Sequence, residues 1–372
     1  MTARQLPWEL LEHVFKVEVG GEPVLSPIDR VRCLAVCRLW RRVLDPRRFP
    51  LQSVGLPISD SAKASQVLEW VLQKLVLEIH TGPVGQFWPT ICQFLSLREL
   101  CLWFNSPVVL DTSMLRSLPP LLVNLDVSMA DLYIQGSSGL LTALTRLRAG
   151  FGSTLEVNAA LPSLAVLNIE DMNSVQLVGD QLQLPRLRTM QLDCSKGTVD
   201  FHSMPALWEL HSYGWGPDAW VGLAALPNLA ILKLPSMWPG FQEFAASILQ
   251  QAPAILRALQ LTFHRRCLER PAADMAAKLG PALGRFPRLE YFVCDSTDFL
   301  PCLRRLPGLR GLEFRGMTAA DISIQDADHL ASSMFSLAAL IFQNELPPGE
   351  ARDMRLKVLG RILPEGCQIF QP

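Results

Sequence analysis

The sequence predicts an α/β solenoid, a horseshoe of stacked strand-and-crossover units, preceded by a small all-α module. Three observations carry that prediction. A Leu-Pro-x-Leu-x-x-Leu-x-Leu phrase recurs at a nearly fixed period along most of the chain. Each copy ends in apolar residues two apart, the spacing of one face of a strand. The first fifty residues lack the phrase and show helical spacing instead.

The clearest copies are LPSLAVLNI from Leu161, LPRLRTMQL from Leu184, LPNLAILKL from Leu226 and LPGLRGLEF from Leu306, with looser ones between and around them. Their central apolar residues are Leu75, Leu100, Leu125, Leu147, Leu167, Met190, Leu210, Leu232, Leu259, Phe292, Leu312 and Leu340. The mean spacing is about 24 residues, inside the range of leucine-rich repeats. Proline cannot donate to a ladder and pushes its predecessor out of the helical region, so each Leu-Pro step closes the preceding connection before a strand begins. No single repeat can bury its apolar side, and stacked neighbours must supply the core. Only Asn105 occupies the position after the strand where such repeats often carry Asn or Cys, so the solenoid should be irregular. The long intervals leave room for helices on the convex side. FQEFAASILQQ after Gly240 and AADMAAKLGPALG after Pro271 have helical spacing, the second expected to break at Gly280-Pro281. This gives a module at 1–50, a linker at 51–66, and about twelve irregular repeats with a C-terminal cap at 67–372.

Composition bounds the function. In 372 residues, 49% hydrophobic, there is ample material for a large core. Charges and prolines interrupt every Leu-rich run before about 18 apolar residues accumulate, so no membrane partner is expected. Glu9 and Glu12 stand where the apolar region of a secretory signal would lie. Nine scattered cysteines form neither a disulfide framework nor a zinc pattern. These features point to a reducing compartment, cytoplasmic and/or nuclear. A net charge of −1 argues against a nucleic-acid partner. Seven arginines between Arg30 and Arg48 fit either a solvated helix face or a docking surface for an acidic partner.

The N-terminal module carries a recognisable signature. Leu6, Leu10, Leu11, Val14 and Phe15 form an apolar stripe on a first helix, and Asp29 could cap a second running DRVRCLAVCRLWRRVL. Helices this short need a partner to complete their core. Leu6-Pro7, Glu9-Leu10-Leu11 and Val36-Cys37-Arg38-x-Trp40-Arg41 resemble the F-box motif, and with the repeats the layout resembles an F-box/leucine-rich-repeat protein over nearly the whole chain. That resemblance implies docking on the Skp-type adaptor of a cullin-based ubiquitin ligase through Leu6, Pro7, Leu10, Leu11, Val36, Cys37 and Trp40. It also gives the Arg-rich helix an acidic partner. The loop between the two helical patterns is several residues longer than the usual F-box spacing.

No catalytic or metal-binding constellation is legible, and no cofactor is expected. The six histidines are dispersed, and phosphate-loop, dinucleotide and nucleophile-elbow patterns are missing. His264-Arg265-Arg266-Cys267 reads as a loop. A non-catalytic subunit that binds a protein target is therefore the expectation. The residues between the strand leucines point away from the core: Trp103, Asn124, Asp126, Arg146, Arg148, Asn168, Glu170, Gln191, Asp193, His211, Tyr213, Lys233, Gln260, Tyr291, Glu313 and Arg315. Of these, Trp103, Arg148, Glu170, Asp193, His211, Tyr213 and Lys233, with Trp215 in the loop beyond, are the candidate contacts to the target. Tyr213 and Trp215 are the expected anchors, because aromatic side chains bury much area with few rotors. Trp208 and Trp220 fit equally well as packing between repeats.

Overall fold

The computed structural model describes residues 18–19, 22–23, 54–58, 74–79 and 88–370, apart from 93–94, 96, 137–140, 153, 214–219, 237–240, 264–278, 304–305, 334–335 and 345–349. Strands β1 (Glu18–Val19) and β2 (Glu22–Pro23) pair antiparallel across Gly20-Gly21, inside the loop that is long for the motif. The chain divides into two compact units. The first lies within Met1–Leu164 and Gly179–Gln183, the second within Ala165–Val178 and Leu184–Pro372.

In the first unit, β3 (Val54–Ile58), β4 (Lys74–Ile79), β5 (Glu99–Leu110), β6 (Asn124–Gly136) and β7 (Arg146–Gly150) form one parallel ladder, and β8 (Thr154–Ala159) pairs with the far half of β6. Leu75, Leu100, Leu125 and Leu147 stand side by side in it. Strand β3, opposite Leu75 at Val54, falls inside the segment read as a linker and carries the ladder one strand further towards the N-terminus.

The second unit holds β9 (Val166–Leu177), β10 (Thr189–Asp200), β11 (Glu209–Ser212), β12 (Trp220–Val221), β13 (Ile231–Ser236), β14 (Ala258–Phe263), β15 (Tyr291–Cys294), β16 (Gly311–Phe314), β17 (Ala339–Phe342) and β18 (Gln368–Phe370). All but β12, which pairs with the far end of β10, form one parallel ladder. Leu167, Met190, Leu210, Leu232, Leu259, Phe292, Leu312 and Leu340 form one row, and Ile369 extends it. All eight are buried. Leucine two apart thus does what strand geometry requires: one face of the ladder is core and the other is open along most of it, although Gln260 and Val293, at outward positions, are buried.

The connections differ from the expectation in one respect. The α/β reading places helices behind the strands, yet in the early repeats the chain turns a corner and continues as a second strand segment. Met129, Phe151 and Asp171, each four residues after its central leucine, turn with left-handed φ of 61°, 56° and 48°. Beyond these corners Leu132, Ile134, Leu155, Val157, Val175 and Leu177 are buried, so the second segment adds its own core row. The early returns hold only short helical turns, at Trp88–Ile91 and Thr112–Arg116, and longer helices appear later. α1 (Phe241–Gln251) follows β13, α2 (Ile324–Ser333) follows β16, and α3 (Glu350–Ile362) follows β17. Ala245, Ile248 and Leu249 bury one stripe of α1. A capping box starts α2: Asp326 N donates to Ser323 Oγ at 3.0 Å, and Ser323 N donates to Asp326 Oδ2 at 3.1 Å. Residues 279–283 are helical straight through Gly280-Pro281, where a break is expected. Gly280 is there for close packing instead, since a Cβ would come within 3.0 Å of Cys302 Sγ.

Candidate protein-binding face of the repeat strands

The open strand face of the second unit is built by register. One residue after the central row, Asn168, Gln191, His211, Lys233, Gln260, Val293, Glu313 and Ile341 lie in a line across eight strands. One residue before it, Glu209, Ile231, Ala258, Tyr291 and Gly311 form a parallel line. Neighbouring side chains on one face sit close enough to interact, and charged residues here pair across strands.

Glu209 organises the middle of this face. Lys233 Nζ donates to its Oε1 at 2.8 Å and His211 Nε2 to the same oxygen at 2.7 Å. Burial opposes ionisation of Glu209, but those two hydrogen bonds and their charges outweigh it and hold the carboxyl below the ordinary glutamate value. His211 and Lys233 are thereby brought together, both half-buried. Glu209 itself is missing from the sequence-derived site. The signal existed: in Glu-Leu-His the flanking residues share one face, and Glu209 is two residues before His211.

A second cluster forms further along. Tyr291 Oη donates to Glu313 Oε2, and Arg315 Nε donates to Glu313 Oε1 at 3.0 Å. Burial and the bond to Glu313 raise the phenol above its ordinary value. Gly311 makes this possible, because a Cβ there would meet the Tyr291 ring at 2.4 Å. The opposite end is acidic. Burial, then the charges of Asp171 and Glu170, raise the Asp193 carboxyl above the ordinary aspartate value. Asn168 Nδ2 donates to Glu170 Oε1 at 2.8 Å.

Tyr213 is half-buried just past the end of β11, its N–H donating to Leu192 O at 2.8 Å. Trp220 is core, its ring 5.4 Å from that of Phe201, whereas Trp208 is 47% exposed. Trp103 and Arg148 belong to the first unit and do not join the group on β9–β13. Trp103 is exposed, and Arg148 Nη1 pairs with Asp126 Oδ2 at 3.3 Å. Trp215, His264 to Cys267, and all seven N-terminal positions (Leu6, Pro7, Leu10, Leu11, Val36, Cys37 and Trp40) lie outside the described residues.

This arrangement can pair charges and exchange hydrogen bonds. Burial pushes the thiols of Cys194 and Cys294 up, so both stay protonated and unreactive. Among the described residues no group of three or more His, Cys, Asp or Glu side chains could hold a metal ion.

Residues 3–49 match the F-box-like family model. No curated protein matches the chain. Three solved structures are similar at low identity. A leucine-rich-repeat protein of Leptospira interrogans is 14% identical, covering 97% of each chain at a TM-score of 0.38. A leucine-rich-repeat-containing protein of Legionella pneumophila is 11% identical, over 86% of this chain and 90% of that one, at 0.33. A Bacteroides fragilis protein is 13% identical, over 84% and 74%, at 0.24. The repeat assignment rests on the strand ladder itself rather than on these superpositions.

Proposed function

We propose that this chain, an F-box-like segment joined to leucine-rich repeats, is the target-recognition subunit of a Skp–cullin–F-box ubiquitin ligase. The observation that carries the reading is the F-box-like match at residues 3–49, placed directly ahead of the repeat ladder. Leu6, Pro7, Leu10, Leu11, Val36, Cys37 and Trp40 dock on the Skp-type adaptor, which joins the cullin. The open strand face of the second unit holds the target protein through Glu170, Asp193, His211, Tyr213 and Lys233; Trp215, Trp103 and Arg148 remain further candidate contacts from their sequence positions. The chain performs no chemistry in this scheme. Holding the target on the ligase makes ubiquitin transfer effectively intramolecular, and effective concentrations in such tethered systems reach about the millimolar range. The complex works in the cytoplasm and/or nucleus. Pairing of β1 with β2 within the segment that is long for the motif supports a module that absorbs the extra length at small entropic cost.

Copurification tests the adaptor half. Wild-type chain should bring down a Skp-type adaptor and cullin, and Leu6→Ala with Pro7→Ala should lose both while the melting temperature of the repeats is unchanged. If the double variant, or a chain lacking residues 1–50, still retains adaptor and cullin, the reading fails and an adaptor-independent interaction scaffold replaces it. The target half is tested by Tyr213→Ala with Trp215→Ala, expected to abolish target capture and leave adaptor binding intact.

A further inference from the structure

The edge where the strands of the second unit begin carries a feature that the proposed target face does not use. Two residues before each central apolar residue, the backbone carbonyl of one repeat accepts two N–H groups from the next. Arg188 O takes Trp208 N at 2.9 Å, Trp208 O takes Ala230 N at 2.9 Å, and Ala230 O takes Arg257 N at 2.9 Å. Arg257 O then takes Glu290 N at 2.8 Å, and Glu290 O takes Arg310 N at 2.8 Å. This ladder fixes Arg188, Trp208, Ala230, Arg257, Glu290 and Arg310 side by side in that order. All but Ala230 are exposed. Arg186 and Arg288, two residues earlier in their own turns, are exposed as well. At about 4.8 Å per strand the row spans roughly 24 Å, the length of about seven residues of extended chain.

The charge along this edge is unbalanced. Five arginines stand against the single carboxylate of Glu290, and among the described residues none of the five makes an ion pair. The contrast with the adjoining sheet face is sharp, because there Lys233 and Arg315 are each satisfied by a neighbouring glutamate. The guanidinium fork suits bidentate pairing with carboxylates. Trp208 offers the one large apolar surface in the row, the feature expected of an interface anchor.

We propose that this edge is the docking strip for an extended acidic segment of the target protein. Carboxylates of the segment pair with Arg186 and Arg188 at one end and with Arg257, Arg288 and Arg310 at the other, and an apolar residue between them lies on Trp208. This deepens the target-binding reading and rests on it. A nucleic acid carries the right charge but is the poorer fit. The carboxylates of Glu170, Asp171 and Asp193 lie on the neighbouring face and would repel a polyphosphate chain wider than the strip. A single extended peptide stays clear of them.

Fluorescence anisotropy on the full chain tests this with three labelled probes. They are a ten-residue peptide of Asp and Glu around a central Leu, its Asn/Gln analogue, and a ten-nucleotide oligouridine. The acidic peptide should bind at least about tenfold more tightly than the amide peptide, with the difference shrinking as salt rises. Arg257→Glu with Arg310→Glu should weaken it by about tenfold or more. Trp208→Ala should weaken it less, and Arg361→Glu on the exposed side of α3 should leave it unchanged. Equal binding of acidic and amide peptides by the wild-type chain overturns the proposal without any variant. So does an unchanged affinity of the charge-reversed variant, or tighter binding of oligouridine. Adaptor copurification run on the same preparations keeps the two readings apart. Its loss in the wild-type chain removes the ligase assignment while leaving the peptide result standing.

Discussion

The repeats that turn through left-handed corners and those that return through helices share one strand pattern but solve the return path differently. After Leu125, Leu147 and Leu167 the chain bends at Met129, Phe151 and Asp171 and pairs again as strand. After Leu232, Leu312 and Leu340 it crosses as α1, α2 and α3. Interval length separates them. Leu147 to Leu167 is 20 residues, whereas Leu232 to Leu259 is 27 and Leu312 to Leu340 is 28. A helix of ten or so residues rises only about 1.5 Å per residue and also needs loops at both ends, so a short interval cannot hold one and still reach the next strand. The strand pattern is therefore the invariant of this fold, and the return path is set by how much chain is available.

If the shared pattern carries the stability, it should do so equally in both regions. Leu167→Ala, ahead of a corner, and Leu232→Ala, ahead of a helix, should each cost about 2–5 kcal/mol in chemical denaturation, because both side chains are buried where the structure cannot collapse fully. Asn168→Ala and Lys233→Ala, their immediate neighbours on the open face, should each cost no more than about 1 kcal/mol. Comparable losses at all four positions would mean that the two faces have been assigned wrongly.

The helical returns should break where the corners would not. Ala245 is fully buried in the middle of α1, and Ala245→Pro removes a helix hydrogen bond and forces a clash, at a cost of about 3 kcal/mol or more. Loss of helical signal in far-ultraviolet circular dichroism should accompany it. An unchanged spectrum and midpoint would show that α1 contributes nothing to the return.

The corners make the opposite prediction, of smaller size. Phe151 is 53% exposed and sits at φ 56°, a conformation that costs a side chain about 1–2 kcal/mol. Phe151→Gly relieves that strain, gives up little burial, and loses about 0.5–1 kcal/mol to the flexibility of glycine. The expected net effect is a stabilisation of up to about 1 kcal/mol. A clear drop in melting temperature would mean that the ring is needed where it is and that the corner is not strained.

The two return paths also explain what could be read from the sequence. All twelve central positions, from Leu75 to Leu340, fall in register within their units, because alternation under a punctuating proline leaves a strand few alternatives. The α1 segment is legible from its apolar stripe. The corner strands are not, since Met129 and Phe151 reveal nothing of a left-handed φ that glycine, asparagine or aspartate would have announced. Likewise His211, Lys233 and Asp193 are legible as outward residues from their odd spacing. The Glu209 that binds two of them lies two residues before His211 on the same face, and its role emerges only when Lys233 is brought beside it by the register.

The finest test lies where the last corner meets the first paired charges. Asp193 and Glu209 are carboxylates on the same face, pushed in opposite directions. The corner at Asp171 sets a second carboxylate near Asp193, and burial together with Asp171 and Glu170 raises its pKa. Ionising Asp193 therefore costs the folded state stability once the pH exceeds the unfolded value, and protonation removes the cost. Glu209 has Lys233 and His211 instead, and its lowered pKa contributes stability that is present above the unfolded value and lost as pH falls through the folded one. At pH 7, Asp193→Asn should raise the melting temperature and Glu209→Gln should lower it. Both differences should shrink towards pH 3, where the parent carboxyls take up protons. Each effect should stay within about 1 kcal/mol, since the groups are half-buried and screened. The decisive measurement is the sign at pH 7. If both variants lower the melting temperature equally, the corner does not create the local repulsion at Asp193, and the electrostatic contrast between the two regions disappears.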